Sequence, residues 1–203
     1  MGKFIVIEGL DGAGTTTQTQ LVKQAIIDLG KTVLVTKEPY EGPFHDLIRK
    51  IISGDPEYQK YKSSLLWLYM ADRRYHLDSL ILPALEKYDF VISDRYIQSS
   101  MAYQADSNAD VVDIFHAHSC GGLNKKPDLT VYLKTPVEVC LDRLVGRSQV
   151  EIFENRECLK KVSANYDQAM DYLKVVYFWD IFEIDGVQNQ TLIFKSIVDR
   201  LIY

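Results

Sequence analysis

A glycine-rich segment near the amino terminus has the residue types and the spacing of a loop that binds phosphate. Residues 8–18 read EGLDGAGTTTQ, and glycines of this kind allow positive φ and a close approach of the backbone to a ligand. Successive amides of such a loop point into a concavity that holds phosphate oxygens, and the helix behind it adds its positive end. We interpret the segment as a phosphate loop rather than a tight structural turn. Its predicted phosphate-binding residues are Gly9, Gly12, Ala13, Gly14, Thr15, Thr16 and Thr17.

Thr15 departs from the usual form of this loop, which has lysine at that position. The lysine is a mobile positive charge that follows the β- and γ-phosphates towards the transition state of phosphoryl transfer. A threonine hydroxyl can form a hydrogen bond there but carries no charge. Phosphate binding by backbone amides does not need the lysine, so the sequence predicts binding and leaves the source of the missing charge open.

A second group of candidate residues follows the apolar run FVIS, residues 90–93. Asp94, at the carboxyl end of that predicted strand, can hold magnesium through water, and the hydroxyl of Thr16 or Thr17 is a further oxygen donor of the kind magnesium accepts. Arg95 can clamp a phosphate through two parallel hydrogen bonds. The alternative interpretation of the pair is an ion pair or the start of a helix.

Two further segments carry residues suited to a nucleotide. Tyr69 and Arg73 are four positions apart on one predicted helix face, where a ring and a guanidinium could stack on a nucleobase and bond it. The alternative is a core aromatic beside a surface arginine. Arg143 and Arg147 are also four positions apart, and the polar run from there to Glu154 is typical of a helix end that enters a loop, or of a solvated charged face.

Composition limits the class of protein. The 203 residues suit one domain, with 47% hydrophobic and 25% charged residues and a net charge of −5. This acidic balance argues against a nucleic-acid partner, which requires a basic face. The three cysteines form no CxxC pair, so neither a zinc site nor a disulfide framework is indicated. The first apolar run has only four residues, so we expect no membrane segment and a cytoplasmic protein.

Strand-like and helical patterns alternate along the chain, which predicts an α/β protein with a parallel sheet covered on both faces. A ligand is then expected at the carboxyl ends of the strands. Predicted strands are 3–7, 32–36, 90–93, 129–133 and 180–184; predicted helices are 17–29, 44–53, 61–88 interrupted by Pro83, 99–119, 137–145, 157–173 and 190–202. Because no linker or repeat interrupts this pattern, a single domain over 1–203 is predicted.

Taken together, these segments resemble the thymidylate kinases, nucleoside monophosphate kinases of the P-loop fold. The resemblance covers nearly the whole chain, and the motifs agree in order and spacing. They are the loop at 8–18, Thr36-Lys37-Glu38-Pro39, Tyr69 with Arg73, Asp94-Arg95-Tyr96 followed by Ser99, Ala102, Tyr103 and Gln104, Lys126-Pro127-Asp128-Leu129, and Arg143, Arg147 and Phe153-Glu154. This joint match is far more specific than any one motif.

The resemblance implies a three-layer P-loop NTPase fold with a five-stranded parallel sheet and a short lid at about residues 146–155. It implies a magnesium-dependent transfer of the γ-phosphoryl group of ATP to dTMP, giving dTDP, and a homodimer. The implied catalytic residues are Asp11, Arg95 and Arg147, and Arg143 would join the loop in binding the ATP phosphates. The implied acceptor-binding residues are Glu38, Pro39, Tyr69, Arg73, Arg95, Ser100, Tyr103 and Gln104, with Thr16 and Asp94 at the metal.

Members of this family place a catalytic arginine either in the phosphate loop or in the lid. Residues 12 and 13 are Gly and Ala here, so the resemblance implies the lid version with Arg147, which could carry part of the role of the missing lysine. Lys37 stands where the family has Arg, and Tyr40-Glu41-Gly42 replaces Gly-Gly-Thr. Three hypotheses remain: an active thymidylate kinase, a kinase for another nucleoside monophosphate or deoxynucleoside, and a weakly active or inactive nucleotide-binding homologue.

Overall fold

One parallel sheet organises the protein. The computed structural model describes residues 1–105, 108–145, 153 and 155–202. The strands lie in the order β2-β3-β1-β4-β5, and every neighbouring pair is parallel. They are β1 (Lys3–Gly9), β2 (Val33–Lys37), β3 (Phe90–Asp94), β4 (Leu129–Lys134) and β5 (Ile181–Asp185). The predicted α/β fold with five parallel strands is therefore confirmed.

Helices connect successive strands and cover both faces of the sheet. They are α1 (Thr15–Asp28), α2 (His45–Ile52), α3 (Leu65–His76), α4 (Leu82–Leu85), α5 (Ile97–Tyr103), α6 (Asn108–Cys120), α7 (Val137–Leu144), α8 (Arg156–Val176) and α9 (Gln190–Ile202). Among the described residues, every helix is too short or too polar to cross a membrane.

The alternation of side chains along β1 explains the three layers. Ile5 and Ile7 belong to the cluster that packs against α1, α7 and α9, whereas Phe4 and Val6 belong to the cluster on the side of α4, α5 and α6. Successive strand residues point to opposite faces, so a strand that is apolar at every position requires cover on both. The long helix α8 contributes to both clusters, through Tyr166 in the first and Leu173 in the second.

The order of the strands places a crevice at one edge of the sheet. The chain runs from β1 past β3 to the outer strand β2, whereas β4 lies on the other side of β1. Connections that leave the neighbouring strands in opposite directions open a crevice at their carboxyl ends, where ligands bind in open α/β sheets. In the β1–β3 register Ile7 pairs with Asp94, so the glycine-rich loop after β1 and the Asp94-Arg95 pair meet at that edge.

Two predicted helices differ from those observed. The helical region predicted over 99–119 was wrong as one element: α5 ends at Tyr103 and α6 begins at Asn108. The segment predicted over 61–88 consists of a 3₁₀ turn (Gln59–Ser64), α3, a π-helical turn (Leu77–Ile81) and α4. Pro83 lies in the first turn of α4, where a proline is tolerated because the amide it lacks has no partner within a helix.

Candidate active site

The glycine-rich segment forms a loop between β1 and α1. Gly12 and Gly14 have φ of 86° and 98°, and Gly14 is the N-cap of α1 without a side-chain cap. A Cβ on Gly12 would lie 2.5 Å from the Cys140 carbonyl oxygen, so only glycine fits between the loop and α7. The uncapped amides at the start of α1 are donors for an anion, and the helix dipole favours negative charge at the same place. The loop geometry therefore suits phosphate.

Arg143 supports this loop from α7 and lies on its outer side. Its Nη1 donates to the carbonyl oxygens of Gly12 and Ala13, both at 3.3 Å, and its Nη2 donates to Gly186 O at 3.1 Å. Arg143 thus ties the phosphate loop to the turn after β5.

Thr15 occupies the first position of α1 and is only 6% exposed. A Cβ placed on Gly9 would lie 3.2 Å from the Thr15 methyl group, so this side chain packs back towards the end of β1. The short, buried threonine brings no charge to the cavity.

Thr16 and Asp94 meet where the loop faces β3. The Thr16 hydroxyl donates to Asp94 Oδ2 at 2.6 Å, and Asp94 Oδ1 is buried without a hydrogen-bond partner. An acceptor oxygen left unpaired in a buried position is costly unless a ligand or ion satisfies it. A hydroxyl and a carboxylate are donors that magnesium accepts, usually together with water and substrate phosphates. The donor set fits magnesium, and no larger group of His, Cys, Asp and Glu suited to a metal occurs among the described residues.

Asp11, Arg95 and Tyr103 form a compact network beside the loop. Arg95 Nη2 donates to Asp11 Oδ1 at 2.5 Å, and the Tyr103 hydroxyl donates to Asp11 Oδ2 at 2.7 Å. The Arg95 guanidinium also lies over the Tyr103 ring, with its central carbon 5.2 Å from the ring centre. Arg95 adopts a φ of 76°, which an arginine rarely takes and which is typical of residues constrained at a functional site.

Glu8 is a buried carboxylate behind this network. Its Oε1 accepts from the Tyr96 amide at 2.7 Å and the Ser99 amide at 3.2 Å. Its Oε2 accepts from the hydroxyls of Ser99 and Tyr166, both at 2.8 Å. The same two hydroxyls accept from Arg95 Nη1, both at 3.2 Å. Burial raises the Glu8 pKa to about 7, against the opposing charge of Arg95 and these hydrogen bonds.

Arg73 lies at the other end of the site and is 1% exposed. Its Nε donates to Glu38 Oε2 at 2.9 Å, and its Nη2 donates to the same oxygen at 2.5 Å and to Tyr96 O at 3.0 Å. Its Nη1 donates to Ser100 Oγ at 3.1 Å and to His118 Nε2 at 2.5 Å. All five guanidinium protons therefore have acceptors inside the protein. The alternative interpretation, a surface arginine, is excluded by this burial, and the predicted contact of Arg73 with a base stays a prediction.

Two buried histidines flank the Arg73–Glu38 pair. His118 accepts from Arg73 through Nε2, and its Nδ1 donates to Ile114 O at 2.7 Å, which fixes it as a neutral tautomer. Burial and the charge of Arg73 lower the His118 pKa to about 3. His76 contacts Thr36 Oγ1 at 2.7 Å and Glu38 Oε1 at 3.4 Å. Burial opposes ionisation of Glu38, but the charge of Arg73 and the bonds from both neighbours hold its pKa below the ordinary value.

A cavity of about 280 Å³ connects these groups. It extends from the phosphate loop and Asp94 past Arg95 and Tyr103 to Tyr69 and Arg73. Gln104 contributes a buried amide oxygen without a hydrogen-bond partner. The predicted site residues that line it are Asp11, Gly12, Gly14, Thr15, Thr16, Thr17, Glu38, Pro39, Tyr69, Arg73, Asp94, Arg95, Ser100, Tyr103 and Gln104.

Three predicted residues do not line the cavity: Gly9 ends β1, Ala13 is buried in the loop and Arg143 lies outside it. Arg147 and Glu154 lie outside the described residues, as does most of the predicted lid. Arg49 lines the cavity although nothing in the sequence indicated it. Lys37 and Phe153 also line it; both belong to motifs quoted above but were assigned no role at the site. Glu8, His118 and Tyr166 support it from behind without any local sequence signal.

Comparison with known proteins agrees with this geometry. The family model described as Thymidylate kinase matches residues 7–183. The chain belongs to the thymidylate kinase family. A probable thymidylate kinase of Thermococcus gammatolerans is 40% identical over 200 residues, covering 93% of this chain and 90% of the relative. A probable thymidylate kinase of Pyrococcus abyssi is 36% identical over 85% of both chains. A thymidylate kinase of a Synechococcus strain is 35% identical over 84% of this chain and 86% of the relative.

Membership of the thymidylate kinase family makes the chain a nucleoside monophosphate kinase. The cavity then has two ends with different tasks. The end formed by the loop amides, Thr16 and Asp94 suits a phosphate chain, and the end near Tyr69 and Gln104 suits a planar ring with polar edges. Arg95 lies between them.

Glu8 should make the stability of this kinase pH-dependent. Below its ordinary pKa of 4.5, Glu8 is protonated in both the folded and unfolded chains, whereas between 4.5 and about 7 only the folded chain retains the proton. The contribution of Glu8 to stability is therefore lost as the pH rises, by about 2–3 kcal/mol between pH 5 and pH 8. Glu8→Gln should gain that amount relative to the wild type over this range in denaturant unfolding. Glu86→Gln, at an exposed glutamate, is the control. Parallel curves for Glu8→Gln and wild type would contradict the assignment.

His118 should matter for stability because its Nε2 accepts a hydrogen bond from the buried Arg73. His118→Leu leaves that donor unsatisfied, and we expect the free energy of unfolding to fall by about 2–3 kcal/mol. His116 provides a matched control on the same helix, because it is exposed and bonds only the Tyr172 hydroxyl at 2.8 Å. His116→Leu should stay within about 0.5 kcal/mol of the wild type. Equal losses in the two variants would show that His118 does not support Arg73.

Proposed function

We propose that the protein transfers the γ-phosphoryl group of ATP to dTMP, giving dTDP, in a magnesium-dependent reaction. The observation that carries this proposal is the single cavity that joins a phosphate loop, at one end, to an aromatic and amide-lined pocket at the other, with Arg95 between them. Phosphoryl transfer requires little covalent chemistry from the protein, so a site that aligns two phosphates and neutralises their charge is sufficient.

The donor phosphates would bind the loop amides and the amino-terminal end of α1. Thr16 and Asp94 would hold magnesium, which supplies positive charge between the phosphate oxygens when it is bound. Asp94 Oδ1, buried and unpaired, supports this assignment. The Thr16 hydroxyl, which donates to Asp94 here, would then bind the magnesium ion instead.

The acceptor nucleotide would occupy the other end. Arg95 would hold its phosphate, with Asp11 keeping the guanidinium in place. Tyr69 would stack on thymine, and the unpaired amide oxygen of Gln104 would accept from its N–H. Tyr103 would lie under the sugar. Every N–H of Arg73 already donates within the protein, so we assign Arg73 to the positioning of Glu38 and Ser100. A contact with the base would then be made by Ser100, or by one Arg73 N–H that bonds both the base and its present acceptor.

A homodimer is the proposed assembly. The segment from α3 to α4 exposes large apolar side chains on its outer face: Trp67 is 64% exposed, Tyr75 43% and Leu82 40%. Large apolar side chains exposed along one segment are a feature of interaction sites. The same residues would bury on a symmetric partner through an isologous contact.

Trp67→Glu should therefore yield a monomer by placing a charge in the proposed interface. Sedimentation velocity measures the mass of the particle, and circular dichroism checks that the fold is kept. Leu192→Glu is the matched control, because Leu192 is 55% exposed on α9, which packs on the opposite face of the sheet. A wild-type protein that sediments as a monomer would contradict the proposal.

The proposed reaction predicts a specific response to an acceptor panel. With ATP and magnesium, dTMP should be phosphorylated faster than dUMP, dCMP, dAMP or dGMP. Arg95→Ala should lower kcat by about 10²–10³, because it removes a charged donor from the developing negative charge. Arg200→Ala serves as control, since Arg200 pairs with Asp180 at the surface with Nη2 2.9 Å from Oδ1. Faster turnover of another acceptor would support a different monophosphate kinase, and turnover of none, with nucleotide bound, an inactive homologue.

Arg147→Ala belongs in the same experiment. A collapse of dTMP turnover in this variant would assign part of the missing loop charge to the lid. Unchanged turnover would exclude that role for Arg147.

A further inference from the structure

Lys37 ends β2 and is the one lysine among the described residues that line the cavity. We propose that Lys37 supplies the positive charge to the γ-phosphate that Thr15 cannot supply, so that the missing loop cation is replaced from the neighbouring strand β2. The inference rests on the proposed function, because it concerns the phosphoryl donor of that reaction.

The strand places Lys37 on the side of the sheet where the phosphate loop ends. Val33 and Val35 pack against the cluster that contains Val22 and Ile26 of α1, whereas Leu34 packs against the cluster on the other face. Side chains two positions apart on a strand share a face. Lys37 therefore lies on the face covered by α1, at the carboxyl end, where α1 begins with Thr15.

The side chain of Lys37 can reach the phosphate site. Its Cα pairs with that of Asp94 across adjacent strands, which are about 4.8 Å apart. An extended lysine places its ammonium about 6 Å from Cα. Asp94 is bonded to Thr16 at 2.6 Å. Lys37 also lines a second cavity of about 310 Å³ together with Thr16, Thr19 and Asp94, so it borders the phosphate loop from two sides.

Three of the arginines near the site already have defined partners. Arg95 is bound to Asp11, Arg73 to Glu38, and Arg143 to the backbone of the loop. Lys37 instead forms an exposed ion pair, with its Nζ 2.9 Å from Glu41 Oε1 and side-chain exposures of 58% and 68%. Such pairs are weak because water and salt screen them. A triphosphate, with several charges in a less exposed site, competes effectively for the ammonium.

The role of Lys37 in the step is electrostatic. An oxygen of the acceptor phosphate attacks the γ-phosphorus, and the bond from that phosphorus to the oxygen bridging the β- and γ-phosphates breaks. The electron pair of that bond leaves with ADP. The Lys37 ammonium keeps its proton and neutralises negative charge on the oxygens of the group in transfer, which is the task of the lysine in the usual loop.

The test uses the full-length protein and four variants. Lys37→Gln should lower kcat for dTMP by about 10- to 100-fold, because one charged contact to the transition state is lost. Thr15→Lys in the Lys37→Gln background should restore turnover to within about 3-fold of the wild type, because it returns the charge to the loop. Thr15→Lys alone measures what a loop lysine does while Lys37 is still present. Lys31→Gln is the matched control. Lys31 is an exposed lysine just before the amino-terminal end of β2, whereas Lys37 and the cavity lie at its carboxyl end.

Binding measurements separate this inference from the proposed function. An ATP analogue with an imido group between the β- and γ-phosphates should bind Lys37→Gln more weakly than wild type, while ADP binds both equally. If kcat and this affinity ratio match those of Lys31→Gln, or if Thr15→Lys gives no rescue, the inference is overturned. If the wild type phosphorylates no acceptor, the proposed function fails, and the γ-phosphate-dependent binding of Lys37→Gln alone decides the inference.

Discussion

The buried carboxylate of Glu8 is the constraint on which the site depends. It lies at the end of the central strand, directly before the phosphate loop, and it is fully enclosed. A buried carboxyl group must find donors, and Glu8 finds them in the backbone at the start of α5 and in the hydroxyls of Ser99 and Tyr166. Three elements that are distant in sequence are thereby held at fixed positions around the carboxyl end of β1.

This arrangement explains how Arg95 is kept available for a ligand. The hydroxyls of Ser99 and Tyr166 donate to Glu8 and accept from Arg95 Nη1, so the carboxylate orients the guanidinium through them without neutralising it directly. Asp11 binds the other end of the same group. At the far side of the cavity, Arg73 shows the opposite design, since all its donors are satisfied within the protein. Arg95 is held in one orientation and is partly exposed to the cavity, whereas Arg73 is buried and bonded within the protein on every N–H. Pre-organisation of both kinds reduces the cost of binding a charged substrate.

The sequence predicts the parts of this site that are local. The glycine spacing of the loop, the position of Asp94 after a strand, and the alternation of strands and helices each follow from short-range rules, and the structure has the predicted sheet. Glu8, His118 and Tyr166 could not be found in this way, because their roles arise from contacts between residues 45 to 158 positions apart. The break between α5 and α6 was missed although the run QADSN at 104–108 is largely polar. The sequence indicated Arg73 as a site residue, but it could not show that Glu38 and His118 enclose its guanidinium.

The threonine in the phosphate loop changes where the site keeps its positive charge. In the usual loop the cation belongs to the helix that binds the phosphates, so loop and charge form one rigid unit. Here the loop contributes amides and the dipole of α1, while the cations at the cavity come from other elements: β2, α2, α3 and the residue after β3. The charge of Lys37 is carried on the edge strand β2, just before the Tyr40-Glu41-Gly42 turn. If Lys37 acts as proposed, phosphate binding and charge neutralisation are separable in this protein, because residues on different strands carry them. Under that proposal, binding depends on the backbone of one loop, and the rate of transfer depends on a cation that the neighbouring strands position beside it.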